Sequence, residues 1–314
     1  MTPPLTVAAL YEALRTRLNL SWAAGRLGGS RTLEPSAGDA TGDSLIGHLN
    51  LIHPHRLQVL GETELTYLEE LRKNSRRDAI DKLFANADLV LITGGQAPPD
   101  DIKQRSEATG VPLLLSRQPS HEVITEIQYF LSHRFARKVS IHGVFLEVMG
   151  IGVLITGDAS IGKSELALEL VSRGHRLVAD DAPEFARLAP DTLRGTCPTL
   201  LQDFLEVRGL GILNIRAMFG DSAIKAGKYL HLIVRLEPMD DGQIAAMDRL
   251  KGSRTLRNIL GVEVPELTLP VAPGRNLAVL VEVAARNEIL QQKGYDAAAA
   301  FIERQRQQLE ENRQ

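Results

Sequence analysis

The residues best suited to chemistry are Gly157, Asp158, Ala159, Ser160, Ile161, Gly162, Lys163 and Ser164, which fit the spacing G-x-x-x-x-G-K-[ST]. Gly157 and Gly162 let the backbone turn tightly and approach phosphate oxygens. A helix starting after such a loop points free N–H groups and its positive dipole end at an anion. Lys163 adds a mobile positive charge, and the Ser164 hydroxyl is a ligand suited to Mg²⁺. The flanks agree with this chemistry. The apolar residues 153–155 read as a strand entering the loop, and residues 165–171 (ELALELV) read as a helix leaving it, with Gly174 as its stop.

Other polar groups follow. Asp180 and Asp181 end the apolar run 177–179, 17 and 18 residues after Lys163. On an extended backbone adjacent carboxylates point to opposite faces, so they take different jobs. One is suited to hold Mg²⁺, directly or through water, and the other to accept a proton from an attacking hydroxyl. Without the loop upstream, a solvated Asp-Asp turn would be the plainer account. Glu206 and Arg208 share one face if their segment is extended. They read equally as a metal-binding carboxylate beside a phosphate-binding guanidinium, or as a surface ion pair before the turn at Gly209 and Gly211. His142 is a lone histidine, a type more often structural or exposed than catalytic. Arg249 is still less distinctive. Pro270, Val271, Ala272, Pro273, Gly274 and Arg275 form a rigid cationic loop ahead of a new apolar element near Asn276. Cys197 has no local catalytic partner and reads as structural.

The elements that position these groups follow from periodicity. Residues 5–18 read as an amphipathic helix on Val7, Leu10, Tyr11, Leu14 and Leu18. Turn signals fill residues 25–42. A short strand at 58–60 precedes a helix over 62–84, and 87–93 (ADLVLIT) is a buried strand. Pro98 and Pro99 open another helix, 111–115 is a strand, and 121–132 closes the unit as a helix. This alternation predicts a small α/β domain over residues 1–132 with a parallel or mixed sheet. The pattern turns to β near residues 133–138, so a second domain is expected over 138–314. Residues 139–148 and 152–156 read as a hairpin turning at Gly150 and Gly152, and the Ala-rich stretch 297–300 lies in a terminal helix.

Composition narrows the class. The 314 residues are 44% hydrophobic and 24% charged, which is ordinary globular usage and excludes a wholly disordered chain or a rod. A net charge of −3 gives no electrostatic case for nucleic-acid binding. One cysteine excludes an intramolecular disulfide framework and a multi-cysteine metal cluster. The first ten residues lack the basic-then-apolar pattern of a signal peptide, and no apolar run approaches the roughly 18 residues of a membrane helix. The expectation is a cytoplasmic protein without membrane partners.

Taken together, the segments resemble the HPr kinase/phosphorylase family. The resemblance rests on IHGV around His142, GDASIGKSE around Lys163, LVADD ending at Asp181, LEVRGLGILN over 205–214, DRL around Arg249 and PVAPGRNLA over 270–278. It covers the C-terminal half by motif; the N-terminal unit matches in size and place only. It implies a P-loop kinase domain related in fold to phosphoenolpyruvate carboxykinases. It also implies phosphorylation of a serine of the phosphocarrier HPr with ATP, or pyrophosphate in its place, and Mg²⁺. The reverse activity would remove that phosphate with inorganic phosphate and release pyrophosphate. Both belong to the phosphotransferase system and the regulation of carbohydrate metabolism.

By the same resemblance, His142, Lys163, Asp181 and Arg249 match catalytic positions. Asp181 would be the general base forwards and the general acid in reverse. Residues 157–164 match nucleotide-binding positions, Ser164 and Glu206 magnesium-binding ones. Segment 205–214 would serve both reactions, loop 270–275 chiefly dephosphorylation, and the assembly would be a homohexamer. Two positions depart from the family pattern: Ser160 stands where glycine is usual, and Ala272 where PVRPGR carries arginine. From the residues alone, an ATP-dependent small-metabolite kinase and a non-catalytic nucleotide-sensing module remain open.

Overall fold

The computed structural model describes residues 4–35, 45–246 and 253–311. The chain divides into two compact units, Met1–Ala136 and Arg137–Gln314.

In the first unit, helix α1 (Val7–Leu14) starts where the Thr6 hydroxyl accepts from the Ala9 N–H, and it buries Val7, Leu10 and Leu14. It is shorter than the predicted 5–18. Strands β1 (Ser21–Ala24), β2 (Ile46–His48), β3 (Leu57–Leu60), β4 (Leu89–Ile92) and β5 (Leu113–Leu115) form one sheet in the order β1-β5-β4-β3-β2. Strands β2 to β5 pair in parallel, and β1 closes the edge antiparallel to β5. The sheet is therefore mixed, one of the two arrangements the alternation left open. β3 and β4 are buried along their whole length, which fits a sheet covered on both faces.

The helix expected over 62–84 is two helices, α2 (Glu62–Glu70) and α3 (Lys73–Asn86). Leu71 and Arg72 are extended between them. No proline or glycine marks the break. Arg76 grips Asp101 at 2.6 and 3.1 Å on α4 (Asp100–Thr109), so α3 follows a tertiary partner rather than the axis of α2. Helix α5 (Ser120–Phe135) ends the unit, with Glu122 in its first turn and His133 and Arg134 in its last, matching its dipole.

The second unit is built on a nine-stranded sheet among the described residues. Its elements in chain order are β6 (Lys138–Ser140), β7 (Val144–Val148), β8 (Ile151–Gly157), α6 (Lys163–Ser172), β9 (Arg176–Ala179), β10 (Glu184–Ala189) and β11 (Thr192–Thr196). They continue with β12 (Phe204–Val207), β13 (Gly211–Asn214), α7 (Ile215–Phe219), β14 (Gly227–Pro238), α8 (Asp241–Ala246), β15 (Arg254–Ile259), β16 (Val262–Val271), α9 (Leu277–Gln292) and α10 (Ala297–Glu311). The order is β6-β10-β11-β14-β8-β7-β9, and β16, carrying β15, also joins β14. Strand β14 runs parallel to both β8 and β16. Strands β12 and β13 form a separate hairpin.

The period of two sorts the side chains of this sheet. Val144, Leu146, Val153 and Ile155 face a core with Leu166, Ala167 and Leu170 of α6 and Ala278, Val281 and Ala285 of α9. Phe145 and Leu154 face the other way, onto Phe185, Leu193 and Ile233. Phe145 and Phe185 meet edge-on at 5.1 Å.

The predicted stretch 139–148 is broken between β6 and β7. Gly143 has φ +155, and a Cβ there would meet the Ile155 carbonyl, so the chain passes too close for any other residue. The tight turn of the hairpin is Met149-Gly150, both at positive φ; Gly152 lies inside β8.

Candidate functional site

The loop between β8 and α6 is the center of the site. Gly157 has φ +145, and a Cβ there would meet the Leu236 carbonyl of the neighbouring strand β14. Gly162, at φ +97, caps α6 and leaves its first N–H groups uncapped by any side chain. Lys163 is buried, and its Nζ donates to the carbonyls of Gly157 at 3.0 Å and Asp158 at 2.9 Å. Its charge therefore lies over the loop, where phosphate would sit. Ser160 is exposed with φ +69, a left-handed conformation that costs a side-chain-bearing residue roughly 1–2 kcal/mol.

Strand β9 delivers the acidic pair, and the two carboxylates differ in kind. Asp180 is 8% exposed, and its Oδ2 accepts from the Glu206 N–H at 2.9 Å. Burial pushes its carboxyl above the usual aspartate value, against the backbone N–H groups of Glu206 and Asp181, which favour the charge. Asp181 has already left the strand, at φ +65, a conformation aspartate tolerates better than most residues. Its side chain is 68% exposed, and Oδ1 lies 2.9 Å from Nδ1 of His142. Two backbone bonds hold His142 there: the Gly143 N–H donates to the Asp181 carbonyl at 3.1 Å, and the Ile141 N–H to the Pro183 carbonyl at 3.2 Å. The extended-strand argument thus holds for the difference between the carboxylates but not for its geometry, because both line the same cleft.

That cleft measures about 250 Å³ and gathers His142, Ser160, Lys163, Ser164, Asp180, Asp181, Glu206 and Arg208. Glu206 points outward from β12, opposite Ile212 of β13, while Leu205 and Val207 turn into the core. The extended segment on which Arg208 would share a face with Glu206 ends at Val207. Arg208 stands in the turn of the hairpin, and still reaches the cleft. Among the described residues no three His, Cys, Asp or Glu side chains gather as a metal cage.

The cationic loop lies on the other flank. Pro270 and Val271 still belong to β16, paired with Glu237 and Pro238, so the loop proper is Ala272, Pro273, Gly274 and Arg275. Gly274 and Arg275 border a second hollow with Ile161, Gly162 and Glu165. Gly162 and Glu165 line both hollows, so the phosphate loop is the wall between them. Helix α9 starts at once after this loop, where the Asn276 side chain accepts from the Val279 N–H at 3.0 Å. Arg249 lies outside the described residues. Cys197 is half-buried and its thiol is pushed up to about 11, chiefly by burial, so it stays protonated and unreactive.

Two residues were given no role in the sequence reading. Glu165 is simply the first acid of α6, and only the packing of loop 272–275 shows it between the hollows. Glu282 of α9 accepts from Arg173 at 3.0 and 2.7 Å and lies 2.9 Å from His175 Nε2. It thereby joins α9 to the end of α6 and the entry of β9.

The family model for the HPr serine kinase N terminus matches residues 5–131, and that for the HPr serine kinase C-terminal domain matches residues 133–305. The chain is 51% identical over 312 residues, 99% of each protein, to HPr kinase/phosphorylase of Stenotrophomonas maltophilia. It is 48% identical, with the same coverage, to HPr kinase/phosphorylase of Xanthomonas campestris pv. campestris. Among solved structures, the Hpr(Ser) kinase/phosphatase from Coxiella burnetii is 37% identical, covers 52% of this chain and 98% of its own, and superposes with a TM-score of 0.45.

Proposed function

The chain belongs to the HPr serine kinase family, and on that premise we propose that it moves a phosphoryl group between ATP and a serine of the protein HPr, in both directions. The observation that carries this reading is the single cleft holding a phosphate loop, its lysine and a solvent-facing Asp–His pair. In the forward direction, the serine hydroxyl gives its proton to Asp181 as its oxygen attacks the terminal phosphorus of ATP and the bond to ADP breaks. His142 holds the Asp181 carboxylate in place at 2.9 Å. Lys163, the N–H groups opening α6 and Arg249 stabilise charge on the transferred group. Asp180 anchors the backbone of Glu206 and so fixes the hairpin carrying Glu206 and Arg208.

In the reverse direction, an oxygen of inorganic phosphate attacks the phosphoserine phosphorus. The P–O bond to serine breaks, its oxygen takes a proton from Asp181, and pyrophosphate leaves. Arg275 and the Gly274 backbone, beside the phosphate loop, suit the second anion.

The oxygen donors of the cleft fit Mg²⁺. Ser164 and Glu206 would hold it, with phosphate and water completing a shell that rarely comes from protein alone. When bound, Mg²⁺ neutralises charge on the phosphates. The second unit is the catalytic one, the first is regulatory or structural, and the working assembly is a homohexamer in the cytoplasm.

Asp181→Asn tests the assignment. Loss of about 10²–10⁴-fold in the rate of HPr phosphorylation, with MgATP binding retained, is the expected result. An unchanged rate would remove Asp181 from the chemistry.

A further inference from the structure

The second hollow has two walls, and each belongs to a different helix. Gly162, Glu165 and Glu169 lie at the start of α6 or on it, while Gly274 and Arg275 stand just before α9. The two helices pack through Leu166, Ala167 and Leu170 on one side and Ala278, Val281 and Ala285 on the other. Apolar attraction is non-directional, so it holds the helices together more firmly than it fixes their slide or rotation. The directional bonds lie at Glu282, in the second turn of α9. Its carboxylate, 15% exposed, accepts from Arg173 Nε at 3.0 Å and Nη2 at 2.7 Å, a planar two-point grip. It also lies 2.9 Å from Nε2 of the buried His175. Both partners follow directly on α6. How Glu282 is held is therefore passed along a rigid helix to Arg275. The first cleft is different: among the described residues, nothing from α9 or loop 272–275 lines it.

We propose that Glu282 is a positioning residue for the inorganic phosphate of the reverse reaction. By fixing α9 against α6, it sets how far Arg275 and the Gly274 backbone stand from the phosphate loop. It touches no substrate itself. The inference rests on the reading of the second hollow as the seat of inorganic phosphate. Its sign separates it from simple electrostatics. Removing a negative charge would by itself favour an anion nearby, whereas releasing the helix disfavours it.

Steady-state rates with purified HPr, in both directions, test this for the full-length protein, Glu282→Gln, Arg173→Gln and the double variant. The assay runs at a temperature where thermal melts show all four folded. Glu282→Gln is expected to raise KM for inorganic phosphate about threefold to tenfold. Its kcat at saturating phosphate and its KM for MgATP in the forward direction should stay within about twofold of the unaltered protein. Arg173→Gln should do the same, and the double variant should lose no more than either alone, because each breaks the same link. Arg173→Lys keeps the charge and loses the two-point grip, and it carries the same test if Glu282→Gln does not fold. An unchanged or lower KM for phosphate in Glu282→Gln would overturn the proposal. So would equal losses in both directions, which mark a general loosening of the fold. If the unaltered protein releases no pyrophosphate from phosphorylated HPr, the reading of the reverse reaction itself falls, and the proposal with it.

Discussion

At the residue scale, adjacent carboxylates have been given different lives by a single change of backbone. Asp180 directly follows β9 and is buried; Asp181 turns into the left-handed region and faces solvent beside His142. The buried member bears a cost. Its folded pKa lies above the unfolded value of 3.8, so the native state binds its proton more tightly. Its contribution to stability therefore falls as pH rises from 3.8 through the folded pKa, and the penalty is fully present above it. Asp180→Asn keeps an acceptor for the Glu206 N–H and removes the charge. Thermal unfolding at pH 7 is expected to shift up, by about 2–4 °C per kcal/mol relieved, while the phosphoryl-transfer rate drops. A lower Tm, or a gain that persists unchanged below pH 3.8, would contradict the burial argument.

At the scale of elements, one carboxylate ties together three segments that lead to or from the two hollows. Glu282 lies on the helix that follows loop 272–275, Arg173 caps the phosphate-loop helix, and His175 leads into β9, the strand just before Asp180. The hydrogen bonds from Arg173, then His175, hold the Glu282 carboxyl down at about 2 against a usual 4.5. Being depressed, it stabilises the fold fully above pH 4.5 and loses that contribution as pH falls toward 2. Glu282→Gln is expected to lower Tm by a few degrees at neutral pH, and the gap to the unaltered protein should close on acidification across that window. A gap constant with pH would mean that the hydrogen bonds, not the charge, do the holding.

Much at this scale was readable beforehand. The phosphate loop, its flanking strand and helix, and the α/β alternation of the first unit follow from spacing and periodicity, because those signals are local. The break at Leu71 and Arg72, the place of Arg208 in a turn and the Glu282 junction were not readable. Each is set by a partner distant in sequence: Asp101 for α3, the hairpin register for Arg208, and two residues over a hundred positions away for Glu282. The pairing of His142 with Asp181 is of the same kind. A lone histidine carries no signal until the Gly143 N–H and the Asp181 carbonyl are seen to bring the segments together.

At the scale of the whole molecule, every described residue placed in the cleft belongs to the second unit, and no described helix is long and apolar enough to cross a membrane. The two hollows share one wall, the phosphate loop, and on the proposed reading this lets one site serve phosphoryl transfer from ATP and attack by inorganic phosphate. The central claim is that one chain runs both reactions on a serine of HPr. Mass spectrometry of purified HPr tests it most directly: first with the full-length protein and MgATP, then, after nucleotide removal, with inorganic phosphate. The account predicts one phosphoserine that forms in the first step and disappears in the second with release of pyrophosphate. No phosphoserine from a protein that binds MgATP would contradict it.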